Sequence, residues 1–60
     1  MVDEIANQIM ESGRKAFDHP TLEKIEAHKR TCKRLWKLAD IKGIRGLVIQ
    51  RLIELYNQQN

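Results

Sequence analysis

Apolar and small residues recur every three or four positions along most of the chain, in three stripes separated by two breaks. The first stripe is Val2, Ile5, Ala6, Ile9, Met10, Gly13, Ala16 and Phe17, and it predicts an amphipathic helix over about residues 3 to 16. Asp3 and Glu4 fall in its first turn and Arg14 and Lys15 in its last, which suits the helix dipole at both ends. Asp18-His19-Pro20-Thr21 breaks the pattern, because a proline drives the residue before it out of helical geometry and Asp18 or Thr21 can cap the next helix. Leu22, Ile25, Cys32, Leu35, Trp36 and Ala39 form the second stripe, on a helix over about 21 to 40. Asp40-Ile41-Lys42-Gly43 ends it, with Gly43 free to take a left-handed cap. The third helix is expected over about 44 to 57, followed by a polar end, Asn57-Gln58-Gln59-Asn60, that is expected to fray.

The third helix differs from the others in the breadth of its apolar surface. Ile44, Leu47, Val48, Ile49, Leu52, Ile53, Leu55 and Tyr56 cover more than half of its circumference, more than a three-helix monomer can bury. It is therefore expected to face both its own chain and a neighbour. A symmetric dimer is the commonest small assembly, so a homodimer joined through Leu47, Val48, Leu52, Leu55 and Tyr56 is the expectation. Chain length points the same way: a domain of 60 residues buries only ~60% of its unfolded surface and is marginal alone. The expected fold is all-α, a single three-helix domain over 1–60 in a dimeric helical bundle.

Composition narrows the function classes. With 42% hydrophobic and 32% charged residues, the sequence fits a folded domain rather than a disordered tail. The longest apolar run, Leu47-Val48-Ile49, is far below the ~18 residues of a membrane span, and no signal-peptide pattern opens the chain. One cysteine, Cys32, makes no internal disulfide and suits a reducing, cytoplasmic setting. Two histidines, no glycine-rich phosphate loop and little length to enclose a pocket argue against an enzyme, and no cofactor is expected. His28 and Cys32 are four apart and share a helix face, but two ligands fall short of the usual four, so no metal is expected either.

The net charge is only +3, yet the positive charge is concentrated. From His28 to Lys37 there are five Lys or Arg and no acid, whereas residues 1 to 27 hold six acids against three Lys or Arg. Arg30, Lys33, Arg34 and Lys37 line one face of the second helix, opposite its apolar arc, with Lys29 beside them. Such a ridge binds phosphates or is simply a solvated face; Glu23 and Glu26 are expected to pair with Arg30 and Lys33 and weaken it. Trp36 lies on the apolar arc, where packing is the default, and Phe17 and Tyr56 are expected to close the helix ends against apolar neighbours.

Residues 35 to 54, LWKLADIKGIRGLVIQRLIE, resemble the helix-turn-helix motif of bacterial and phage DNA-binding regulators. Leu38 and Ala39 match the packing positions of the motif's first helix, Gly43 its turn, and Ile44, Ile49 and Leu52 the positions at which its second helix meets the first. The resemblance implies a small dimeric transcription regulator, with Arg45, Gln50 and Arg51 near the groove and Lys29, Arg30, Lys33, Arg34 and Lys37 on the phosphates. Ribbon-helix-helix repressors are also similar over their paired helices, but Thr21 to Ala27 reads with helical period where that family has a strand. The alternative class is a protein-interaction module, an adaptor or inhibitor that grips a partner helix with the apolar face of the third helix.

Overall fold

The computed structural model describes residues 1–58 and contains three helices, α1 (Val2–Phe17), α2 (Leu22–Ile41) and α3 (Arg45–Gln58), with no strand among the described residues. Each helix lies within a residue or two of where the hydrophobic period places it. Asn57 and Gln58, expected to fray, belong to α3, while Gln59 and Asn60 lie outside the described residues.

Local chemistry sets the helix ends. At the start of α2 the Thr21 hydroxyl accepts from the Lys24 backbone N–H at 3.2 Å, which satisfies one of the donors a helix N-terminus leaves open. His19, the residue before Pro20, takes φ 57° and turns the chain back after α1. The Lys24 ammonium then donates to the carbonyls of Asp18 and His19 at 3.2 and 3.3 Å, adding positive charge at the C-terminal end of α1.

The turn between α2 and α3 is a Schellman cap. Gly43 adopts φ 68°, its N–H donates to the Asp40 carbonyl at 3.1 Å, and the Ile44 N–H reaches back to the Ala39 carbonyl at 2.9 Å. The hydrophobic contact that accompanies such a cap is also present, since Ile44 packs against the core to which Ala39 belongs. A Cβ at Gly43 would meet nothing within 4 Å, so an alanine there acts through backbone conformation alone. Gly43→Ala should therefore cost about 1 kcal/mol, with Gly43→Asn costing less, as read from urea unfolding midpoints.

α1 is the organising element: it packs along both other helices, whereas α2 and α3 touch each other little beyond the turn that joins them. The core is correspondingly small. Ile5 and Ala6 of α1, Leu35 and Ala39 of α2 and Val48 of α3 are buried, with Val2, Ile9, Trp36, Leu38, Ile44, Leu52 and Leu55 packed around them. Ala6 and Ala39 are fully buried, and their small side chains allow close helix approach. The result is a plate of 32 × 28 × 13 Å.

This arrangement revises several expectations for α3. Val48, expected at a dimer interface, is fully buried in the core of its own chain, and Leu52 and Leu55 are partly buried against that core. Only Leu47 and Tyr56 of the expected interface are exposed, and nine residues at about 100° each set them ~180° apart around the helix, so they share no face. Ile49, matched to a contact position of the helix-turn-helix motif, is 43% exposed. Phe17 and Tyr56 do not close the helix ends against apolar neighbours: both are exposed, as are Leu22 and Ile41 at the two ends of α2.

Candidate nucleic-acid interface

α2 buries Leu35 and Ala39 against α1 and α3 and turns its opposite side to solvent. On that outer side Arg30, Lys33, Arg34 and Lys37 are all exposed. Among the described residues none of the four forms an ion pair or a side-chain hydrogen bond. From Arg30 to Lys37 the helix rises ~10 Å, and successive cations are one turn apart or less. The expected neutralisation does not occur: Glu26 approaches Lys29 at 3.8 Å rather than Arg30 or Lys33, and Glu23 pairs with neither. Among the described residues Lys29 is thus the one member of the basic run in an ion pair.

The cations of α3 are held differently. Arg45 reaches both carboxylate oxygens of Asp40 at 3.0 and 3.2 Å, and its guanidinium lies 5.1 Å from the centre of the Trp36 ring. Arg51 bridges two helices: its Nε lies 2.9 Å from Asp3 of α1, off the N–H axis, so the contact is an ion pair without an aligned hydrogen bond. A second nitrogen of the same guanidinium donates to Glu54 at 3.0 Å. Gln50 is exposed and forms no side-chain hydrogen bond among the described residues. Of the three α3 residues expected near a groove, Gln50 is the one left uncommitted. Arg45 is exposed, and a surface pair of this kind is worth only about 0 to 1 kcal/mol, so Asp40 holds it weakly. Arg51, with its Nε buried, serves the α1–α3 contact.

A second polar cluster joins α1 to α2. Ser12 Oγ and His28 Nδ1 are 2.8 Å apart, with the donor set by the imidazole tautomer, and the Phe17 ring meets the same imidazole edge to face at 5.9 Å. Cys32 Sγ lies 3.6 Å from His28 Nε2. Its 3.7 Å distance to Nδ1 is nearly the same, so the thiol lies over the ring rather than at one nitrogen, and the imidazole lacks the carboxylate that orients histidine in a hydrolytic triad. Burial pushes the Cys32 thiol up from its ordinary value of 9.0, which keeps it protonated at neutral pH. Among the described residues no group of three or more His, Cys, Asp or Glu is placed to hold a metal ion. Sequence spacing brings His28 and Cys32 together, but the Ser12 contact crosses from another helix and has no local signature. Cys32 should react with a thiol reagent more slowly in the native protein than in urea at mildly alkaline pH, since unfolding removes the desolvation that disfavours its thiolate.

No helix among the described residues is long and apolar enough to cross a membrane. Compared with known proteins, the chain matches no family model, no curated protein and no solved structure.

Proposed function

We propose that this chain is a small DNA-binding regulator of prokaryotic or phage type, acting as a homodimer in the cytoplasm and meeting the phosphate backbone through the outer face of α2. The observation that carries the proposal is the row Arg30, Lys33, Arg34 and Lys37: four exposed cations opposite the core, none held by an acid among the described residues. Each phosphate neutralised releases a condensed counterion, which makes such a row a polyanion site whose affinity falls with salt. Exposed Gln50 on α3 supplies one amide suited to an adenine edge. With a single such group uncommitted, the expected binding is tight at low salt and modest in sequence preference.

A mobility-shift titration on mixed genomic DNA at two salt concentrations tests this. Two ridges of four cations give a log-log salt slope of roughly −7, and a loss of at least a thousandfold in affinity between about 50 and 200 mM salt. Absence of retention at the lower salt, or retention indifferent to salt, rejects the proposal. The first outcome supports the alternative, an adaptor that binds a partner helix, for which the exposed Ile49, Ile53 and Tyr56 of α3 are the favourable observation.

A further inference from the structure

We propose that α3 pairs antiparallel with α3 of a second copy of this chain, about a two-fold axis level with Arg51, through a stripe formed by Gly46, Ile49, Ile53 and Tyr56. These residues recur at three- and four-residue spacing, and the stripe is turned well away from Val48, the core residue of the same helix. Ile49, Ile53 and Tyr56 are 43%, 57% and 64% exposed, so their own chain leaves them largely uncovered.

Three observations select a second copy as the occupant. The first is register. In an antiparallel pair about a two-fold axis, positions that sum to a constant face each other, as an isologous interface requires. With the axis at Arg51, Ile49 faces the partner's Ile53 and Gly46 faces the partner's Tyr56. The stripe is thus complementary to itself: aliphatic meets aliphatic twice, and the smallest residue meets the largest twice.

The second is Gly46 itself. It lies in the first turn of α3 with no positive φ, and a Cβ there would meet nothing within 4 Å, so the fold of the single chain gives no reason for a glycine. Glycine weakens a helix. A ring packed across the bare backbone by the partner supplies the missing reason.

The third is area. A folded monomer of 7.1 kDa is expected to expose about 4,100 Å², whereas this chain exposes 4598 Å². The excess of about 500 Å² is more than half of the ~800 Å² that each partner contributes to a standard interface. Charge does not oppose the pairing either. The stripe is uncharged and bordered by Gln50 and Asn57, and the nearest cation, Arg45, is already held by Asp40.

This pairing rests on α3 alone and stands whether or not the α2 ridge binds DNA. The test is sedimentation equilibrium of the full chain, with circular dichroism to monitor folding. Wild type is expected at twice the chain mass. Gly46→Leu fills the slot for the partner's Tyr56 and should raise the dissociation constant about tenfold or more; its helix content is retained, because leucine is a better helix former than glycine and its Cβ meets nothing in its own chain. Register is tested by charge. Ile49→Glu with Ile53→Glu should give a monomer. Ile49→Glu with Ile53→Lys should recover association, since each Glu then faces the partner's Lys. A wild-type monomer, a Gly46→Leu dimer as tight as wild type, or a Glu/Lys variant no more associated than the Glu/Glu variant overturns the proposal.

Discussion

Leu35→Ala is expected to remove a large part of the protein's folding stability. Leu35 is 4% exposed and belongs to a core whose other buried members are Ile5, Val48 and two alanines. Removing a buried leucine side chain costs about 2 to 5 kcal/mol, depending on how far the site collapses. A chain of 60 residues has a total stability of roughly 3 to 9 kcal/mol. The packing leaves little opportunity for collapse, because Ala6 and Ala39 already bring the helices close and neither can extend into the space. Leu52→Ala provides the internal comparison. Leu52 lies at the margin of the same core and is partly exposed, so its truncation removes less buried surface and should cost about 1 to 2 kcal/mol. Urea unfolding monitored by circular dichroism, at one fixed protein concentration because association adds to apparent stability, measures both. If Leu52→Ala proves the more damaging of the two, the core does not centre on the α1–α2 contact.

The contrast between Leu35 and Leu52 also marks what the sequence reveals and what it does not. Helix positions were legible because each rests on local chemistry: a 3.6-residue apolar period, Thr21 at a cap, Pro20 driving His19 out of helical geometry, and Gly43 as a left-handed cap. The outward placement of Arg30, Lys33, Arg34 and Lys37 was legible for the same reason, since the apolar arc of α2 fixes the opposite side. α3 was not legible in this way. Its apolar residues cover more than half of its circumference, so periodicity alone does not say which part its own chain takes. That choice depends on where α1 lies, and α1 selects Val48 while leaving Ile49 and Ile53 outside.

Helix length explains a second group of differences. α2 has 20 residues and α1 has 16, so α2 is ~6 Å longer, and Leu22 and Ile41 at its ends lack a neighbour to cover them. Ion pairs between elements were equally hidden. Asp3 and Arg51 are remote in sequence, and Asp40 and Arg45 are five apart across a turn, outside the three- and four-residue rule for pairs on one helix. These two contacts engage the α3 cations and shift the weight of the candidate interface onto α2.

That shift makes the combined substitution of Arg30, Lys33 and Arg34 by Ala the most demanding test of the ridge. DNA retention should fall below detection at moderate salt, while the unfolding free energy from urea titration stays within about a few tenths of a kcal/mol of wild type. The two outcomes separate because the side chains are exposed, so their removal breaks no ion pair or side-chain hydrogen bond among the described residues. Alanine is also at least as good a helix former as Arg or Lys, so α2 persists. Each chain loses three cations, and the log-log salt slope should become shallower by about 2.7 per chain, which distinguishes loss of phosphate contacts from a general loss of affinity. Net charge is controlled by replacing Arg14, Lys15 and Lys42 with Ala, which removes the same charge from positions off the outer face of α2. If the ridge is the site, this control retains most of the binding and the original salt slope. Equal weakening in both variants would mean that the polyanion senses only the overall positive field of the molecule, and the row on α2 would then be an ordinary solvated helix face.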